Sequence, residues 1–308
     1  MFFAKLLVRR VALLVALLAI VFVVVDLLPG DTARAVAGRN ADPEQLALIR
    51  QRLGLDRPLP VRFWDWLSGV ATGDFGSTAR GQSINALLAD KLPPTLLLGG
   101  IAFAVTVAAS LLCGMWWAAR PRGVAARVLQ PATTMVVAVP EFVVAALLVL
   151  VFSLATGLLP AVTVADRSGY PASADMLVLP VLALAIPNIG WNTRVVHSAM
   201  LQAAGAPHVE HAVLDGLPRR DVLRRHMLPV ALPTIVASYA TTVGMLFGGA
   251  LVVETIFNYP GLGAVLAGSV SDRDTSVVAA VVAVAGASIM CVLVLADAVR
   301  AWSVRGLR

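Results

Sequence analysis

Glu141 is the residue most exposed to a chemical question. It follows Pro140 about 12 residues into an apolar stretch, which at 1.5 Å per residue is roughly 18 Å into a membrane-length helix. An ionised carboxylate there costs about 2.5–3.5 kcal/mol, so it must face protein or water. Pro140 withholds a backbone donor and can bend the helix towards a passage. Two readings follow: a passage-lining group that meets a cation on a solute, or an internal pair or hydrogen bond between helices. Asn188 and Asn192, with Trp191 between them, form a second polar stripe in an apolar run; Arg194 lies near enough to its end to snorkel. His197, His208, His211 and His226 fall within 30 residues. His208-Val209-Glu210-His211 matches neither zinc-protease arrangement, so no metal site is expected. Cys113 and Cys291 sit in apolar runs and read as small core residues. Lys5 and Lys91 are the only lysines, and no glycine-rich turn precedes either, so the chain cannot cradle ATP in the Walker manner.

The segment from His208 to Pro233 has a different pattern. Val209, Ala212 and Val213 share a helical face, Gly216-Leu217-Pro218 breaks the helix, and an arginine-rich helix leads to Leu228-Pro229. A short helix between cations suits docking into another protein's groove; a solvated basic loop is the plainer alternative.

The elements that must position these groups are membrane spans. Hydrophobic residues make up 59% of the 308 and charged ones 14%, and mean hydropathy is +0.85. That balance excludes a soluble enzyme, a disulfide-built domain and a nucleic-acid binder. The run from Val11 to Val25, extended by Leu27 and Leu28, predicts an uncleaved first span rather than a signal peptide. Five more spans are predicted near 95–119, 129–156, 176–197, 230–256 and 277–299. This divides the chain into a first transmembrane helix (1–28), a polar insert (29–94) and a five-helix core (95–308). Within the insert, Asp42-Pro43-Glu44 starts an amphipathic helix that ends at Gly54. Phe63, Trp64 and Trp66 form an aromatic cluster suited to the headgroup level. With the N-terminus inside, the inner segments carry 14 cations against three acids, whereas the short outer loops hold only Arg167 and Arg273 as cations. This predicts six helices with both termini cytoplasmic. Asp297 and Arg300 read as an i,i+3 ion pair, and Trp302 as an interfacial residue. No inverted repeat is evident, which disfavours a self-contained secondary transporter.

The loop resembles the EAA loop of bacterial ABC-importer permeases. Glu210-His211-Ala212, three residues, Gly216, nine residues, His226, one residue and Leu228-Pro229 keep that motif's spacing, with His211 and His226 departing from its residue types. LLPGD at 27–31, the stretch from Leu53 to Thr78, and VVETIFNYPGLG at 252–263 resemble the oligopeptide, dipeptide and nickel branch of those permeases. The family's frequent Asp-Pro-Arg ending is replaced by Trp302-Ser303-Val304-Arg305.

The resemblance implies an all-α membrane protein of the type I importer permease architecture, with a helical extracytoplasmic insert, in the bacterial plasma membrane. It implies a coupling loop over 205–229, with Glu210 meeting ATPase basic groups, Gly216 permitting the turn, Ala212 packing, and His211 and Asp215 on the same coupling element. It further implies a second homologous permease, two ATPase subunits that bind ATP and Mg, an extracytoplasmic binding protein, and no cofactor on this chain. Glu141, Asn188 and Asn192 are the candidates for the translocation pathway. The solute expected is a peptide or a related small molecule. A lone secondary transporter or channel would lack the coupling loop's partner. An intramembrane enzyme would need a catalytic pair beside Glu141, and no serine, cysteine or metal motif accompanies it.

Overall fold

The computed structural model describes residues 2–27, 32–37, 42–120 and 123–305, without the side chains of 2–7, 35–36, 125 and 295–305. Residues 28–31 of the LLPGD stretch, and the side chains of Asp297, Arg300 and Trp302, lie outside that description. Among the described residues the fold is helical, with two isolated β-bridges as its only extended pairing. Five helices are long and apolar enough to cross a membrane, and a sixth span results if one sharply bent pair is counted as one. The helices divide between two compact units.

The first unit comprises residues 1–95 and 260–290. It holds α1 (Phe2–Leu27), α2 (Thr32–Ala37), α3 (Pro43–Arg52), α4 (Leu59–Ala71) and the start of α5 (Ile84–Ala119). The predicted amphipathic helix is α3. Asp42 is its extended N-cap residue, Pro43 occupies its first turn, Leu46 is buried, and Gly54 follows with φ +64°, a conformation that costs glycine nothing. The aromatic cluster splits. Phe63 is buried and meets Phe22 edge-on at 5.6 Å between centroids, Trp66 packs on the same ring at 5.9 Å, and Trp64 is exposed. Aromatic packing therefore ties α4 to α1 rather than placing the whole cluster on a surface. α5 begins at Ile84, well before the apolar run at 95, because Ile84 and Leu88 already bury one face.

The second unit comprises 96–259 and 291–308. It contains the rest of α5, α6 (Val124–Ala138), α7 (Glu141–Leu148), α8 (Val178–Ala204), α9 (Pro207–Leu214), α10 (Arg219–Asp221) and α11 (Leu228–Ile256). α12 (Leu262–Asp272) and the start of α13 (Thr275–Arg305) belong to the first unit. α8 and α11 pack over their length around Leu184, Leu246, Ala250 and Val253. Close approach elsewhere depends on absent side chains: a Cβ on Gly114 of α5 would lie 2.6 Å from Val196 of α8, and one on Gly190 of α8 would lie 3.2 Å from Val137 of α6.

The predicted third span, 129–156, is broken. α6 and the helix starting at Glu141 meet at 104°. Val139 is extended at ψ 121°, as a residue before proline prefers, and Pro140 has no N–H with which to continue α6.

Candidate functional site

The segment from His208 to Pro233 is built around α9. Pro207 occupies its first turn after the extended Ala206, a position where proline's missing N–H is not needed. Its C-terminus closes by a paired motif: Gly216 N–H donates to the Val213 carbonyl at 3.1 Å and Leu217 N–H to the Ala212 carbonyl at 3.2 Å. This double closure needs a left-handed residue, and Gly216 supplies it at φ +73°. Val209 and Ala212 are buried at 2% and 4% exposure, in a cluster with Met200, Val222 and Met227. Val213 leaves the face predicted for it and is exposed, as are Leu214 and Leu217. Glu210, His211, Asp215 and Gly216 are exposed as well, so α9 presents apolar and charged groups together on one free surface. Glu210 in the first turn and His211 in the last also match the helix dipole.

Behind α9 the arginine-rich stretch is continuous with α11. α10 passes into a widened π-type turn over Val222–Met227, and Pro229 lies in the first turn of α11; proline gives no N–H to the ladder, and the turn before it relaxes accordingly. Arg219, Arg220, Arg224 and Arg225 are exposed.

The histidines do not gather. His197 stacks on Trp117 with centroids 3.9 Å apart, the His208 ring lies 3.3 Å from the His226 carbonyl, and His211 is exposed. Among the described residues no group of three or more potential metal ligands occurs.

Glu141 is the first residue of α7, immediately after the break. Its carboxylate is half-buried and lies against α11: a Cβ on Gly249 would be 3.3 Å from both the carboxyl carbon and Oε1. The N-terminus of α7 favours the negative charge. No hydrogen bond or ion pair engages this carboxylate among the described residues, so its accepting capacity is unspent. The break puts a carboxylate at a helix start inside an otherwise apolar stretch.

Asn188 and Asn192 are buried between helices. They are 2% and 0% exposed. Asn188 Nδ2 donates to the Leu184 carbonyl at 2.8 Å. Asn192 Nδ2 donates to the Asn188 carbonyl and to Thr242 Oγ1, both at 2.8 Å, and Oδ1 accepts from Ser238 Oγ at 2.7 Å. The amide group of Asn192 thus clasps α8 to α11. A second clasp joins α5 to α11 through Ser110 Oγ and Tyr239 OH, 2.9 Å apart. Sequence reading missed Ser110, Ser238, Tyr239 and Thr242, because hydroxyls spread through apolar helices carry no pattern. Glu254 of α11 is buried completely, and its backbone carbonyl accepts the Tyr259 N–H at 2.8 Å.

The chain matches two family models: the inner membrane component of binding-protein-dependent transport systems over residues 110–308, and that component's N-terminal region over residues 1–98. It is 34% identical over 269 residues to the glutathione transport system permease protein GsiC of Salmonella choleraesuis, covering 87% of this chain and 85% of that protein. It is 30% identical over 292 residues to a Brucella ovis protein named as a peptide permease, covering 92% of each. A structure of the MetNI methionine ABC transporter in inward-facing conformations shares the fold, with a TM-score of 0.51 at 16% identity over 70% of this chain and 94% of that one. With helices of membrane length and with these matches running along most of its residues, the chain belongs to the inner membrane components of binding-protein-dependent transport systems, the multi-pass, non-enzymatic permease subunits of ABC importers.

Proposed function

We propose that this permease subunit moves a peptide or a related small solute, and that α9 is the element through which an ATPase subunit drives it. The observation that carries the reading is the construction of α9. Two buried residues, Val209 and Ala212, anchor it to its own unit, while Glu210, His211, Val213, Leu214 and Asp215 remain free on its surface. Such an element transmits a push as a rigid body, because its anchor moves with it. Glu210 is assigned to basic groups of the ATPase and Gly216 to the turn that sets the angle of α9. ATP and Mg belong to two ATPase subunits, whose closure on ATP favours one of two permease conformations. A second homologous permease completes the pore, an extracytoplasmic binding protein delivers the solute, and both termini face the cytoplasm, as the excess of arginines beside α9 supports. Glu141 is assigned to the pathway, where it meets a cationic group of the solute, with Asn188 and Asn192 of α8 as its further polar candidates; Asn192 also clasps α8 to α11. The named relatives support the solute class.

The test uses the complete importer. Glu210→Arg, or Gly216→Pro, which cannot adopt φ near +73°, is expected to abolish ATPase association or solute-stimulated hydrolysis while membrane insertion persists. Normal coupled transport in both variants rejects the assignment.

A further inference from the structure

The first unit holds a feature that coupling and translocation do not use. Between the end of α3, α4, the loop before α5 and the start of α13 lies a cavity of about 560 Å³, in the range of small-molecule sites. Its lining is rich in guanidinium groups. Arg52, Arg57, Arg62 and Arg80 contribute to it, against the carboxylates of Asp65 and Asp274.

Three of the four guanidinium groups are already engaged. Arg57 pairs with Asp65 at 2.6 Å, Arg62 with Asp26 at 2.9 Å and Arg80 with Asp272 at 2.8 Å. Arg52 has no hydrogen-bond or ion-pair partner among the described residues. It is the last residue of α3, and its Nη2 reaches to 3.9 Å from where a Cβ on Gly81 would stand. Asp274 is occupied as well: it accepts the Ala79 N–H and, at 3.3 Å, the Val277 N–H. The acids facing the cavity are therefore engaged, and Arg52 is the lining guanidinium left without an ion-pair partner among the described residues.

The loop beside Arg52 is preorganised. Thr78 N–H donates to the Gln82 carbonyl at 2.8 Å, Gly81 N–H to the Thr78 carbonyl at 2.8 Å, and Ile84 N–H to the Gly76 carbonyl at 3.0 Å. Asn85 braces the same loop, accepting the Phe75 N–H at 2.9 Å and donating to the Gly73 carbonyl at 2.6 Å. The indole N–H of Trp66, which also lines the cavity, is buried without a hydrogen-bond partner among the described residues.

We infer that this cavity binds a small carboxylate-bearing solute, with the Arg52 guanidinium taking the carboxylate as a two-pronged donor and Trp66 flanking its apolar part. The cavity is concave and small, which suits a free molecule better than a protein surface. The site lies wholly in the first unit, and its occupancy needs neither ATP nor the α9 contact.

The test uses the full-length chain in nanodiscs of phosphatidylcholine, which offer no anionic lipid to compete. The probe is acetyl-alanyl-alanine, which carries a carboxylate and no amine, compared with its C-terminal amide; binding is read by titration calorimetry. Saturable binding of the acid, at least tenfold weaker binding of the amide, and a loss of about tenfold or more in Arg52→Gln are expected. Arg52→Lys, which keeps charge but not the fork, should fall between. Glu141→Gln and Glu210→Arg should bind the acid as the parent chain does, which separates this site from the transport assignments. Equal binding of acid and amide, unchanged binding in Arg52→Gln, or no saturable binding at millimolar probe overturns the inference. Arg52 is exposed at a helix end, and retained thermal stability of Arg52→Gln establishes that any loss is local.

Discussion

Glu141 and Asn192 are both polar residues in apolar helices, and their partners separate them. Asn192 spends its amide on three neighbours in two helices, so Asn192→Ala removes the acceptor of the Ser238 hydroxyl and the donor to Thr242, which keeps only its bond to the Ser238 carbonyl. A loss of about 1–3 kcal/mol is expected, measured as a lower unfolding midpoint in detergent. Glu141 spends its carboxylate on no partner among the described residues, so Glu141→Gln should leave the unfolding midpoint nearly unchanged while reducing uptake of a solute with a free amine. Equal uptake of that solute and its acetylated form in both parent and variant would remove Glu141 from the pathway. Asp274 shows a third case. Burial raises its carboxyl above the usual range, outweighing the Ala79 and Val277 donors that lower it. A raised acid stabilises the fold when protonated, so its contribution is fully present below the ordinary aspartate value and is lost as pH climbs through the raised one. Asp274→Asn, which keeps an accepting oxygen, should therefore hold its stability near neutral pH, whereas Asp274→Ala should lose about 1–2 kcal/mol as a lost cap.

At the scale of elements, glycines decide which helices can touch. Gly114→Ala would drive a Cβ to within 2.6 Å of Val196, and neither helix backbone can retreat without disturbing the α8 core; a loss of about 1–3 kcal/mol is expected from overpacking. Gly249→Ala is subtler, because its new Cβ meets Leu184 at 3.1 Å and the Glu141 carboxyl at 3.3 Å. The expected result is reduced transport with intact ATPase association, measured in reconstituted importers, since the contact lies in α11 away from α9. The third span illustrates how far pattern reading carries. Its apolar run is continuous in sequence, and Pro140 marks a bend, but the size of the bend follows from Val139 adopting an extended conformation, which hydropathy does not report.

For the whole molecule, apolar composition and the asymmetric placement of arginines were sufficient to establish a multi-pass helical protein, since a span needs only length and hydrophobicity. The spacing from Glu210 through Gly216 to Leu228-Pro229 was likewise readable, because a glycine at a left-handed C-cap and a proline at a helix start are demanded locally. The pairing of α8 with α11 through Asn192, the exposure of Val213 beside a buried Ala212, and the seating of Phe63 and Trp66 on Phe22 were decided only in three dimensions. So was the cavity at Arg52, whose walls come from residues near 52, 66, 80 and 274. Periodicity tells which residues share a face of one helix. Which face meets which, and where a carboxylate or guanidinium is left without a partner, depends on contacts between segments far apart in the chain, and single-segment pattern has no term for those.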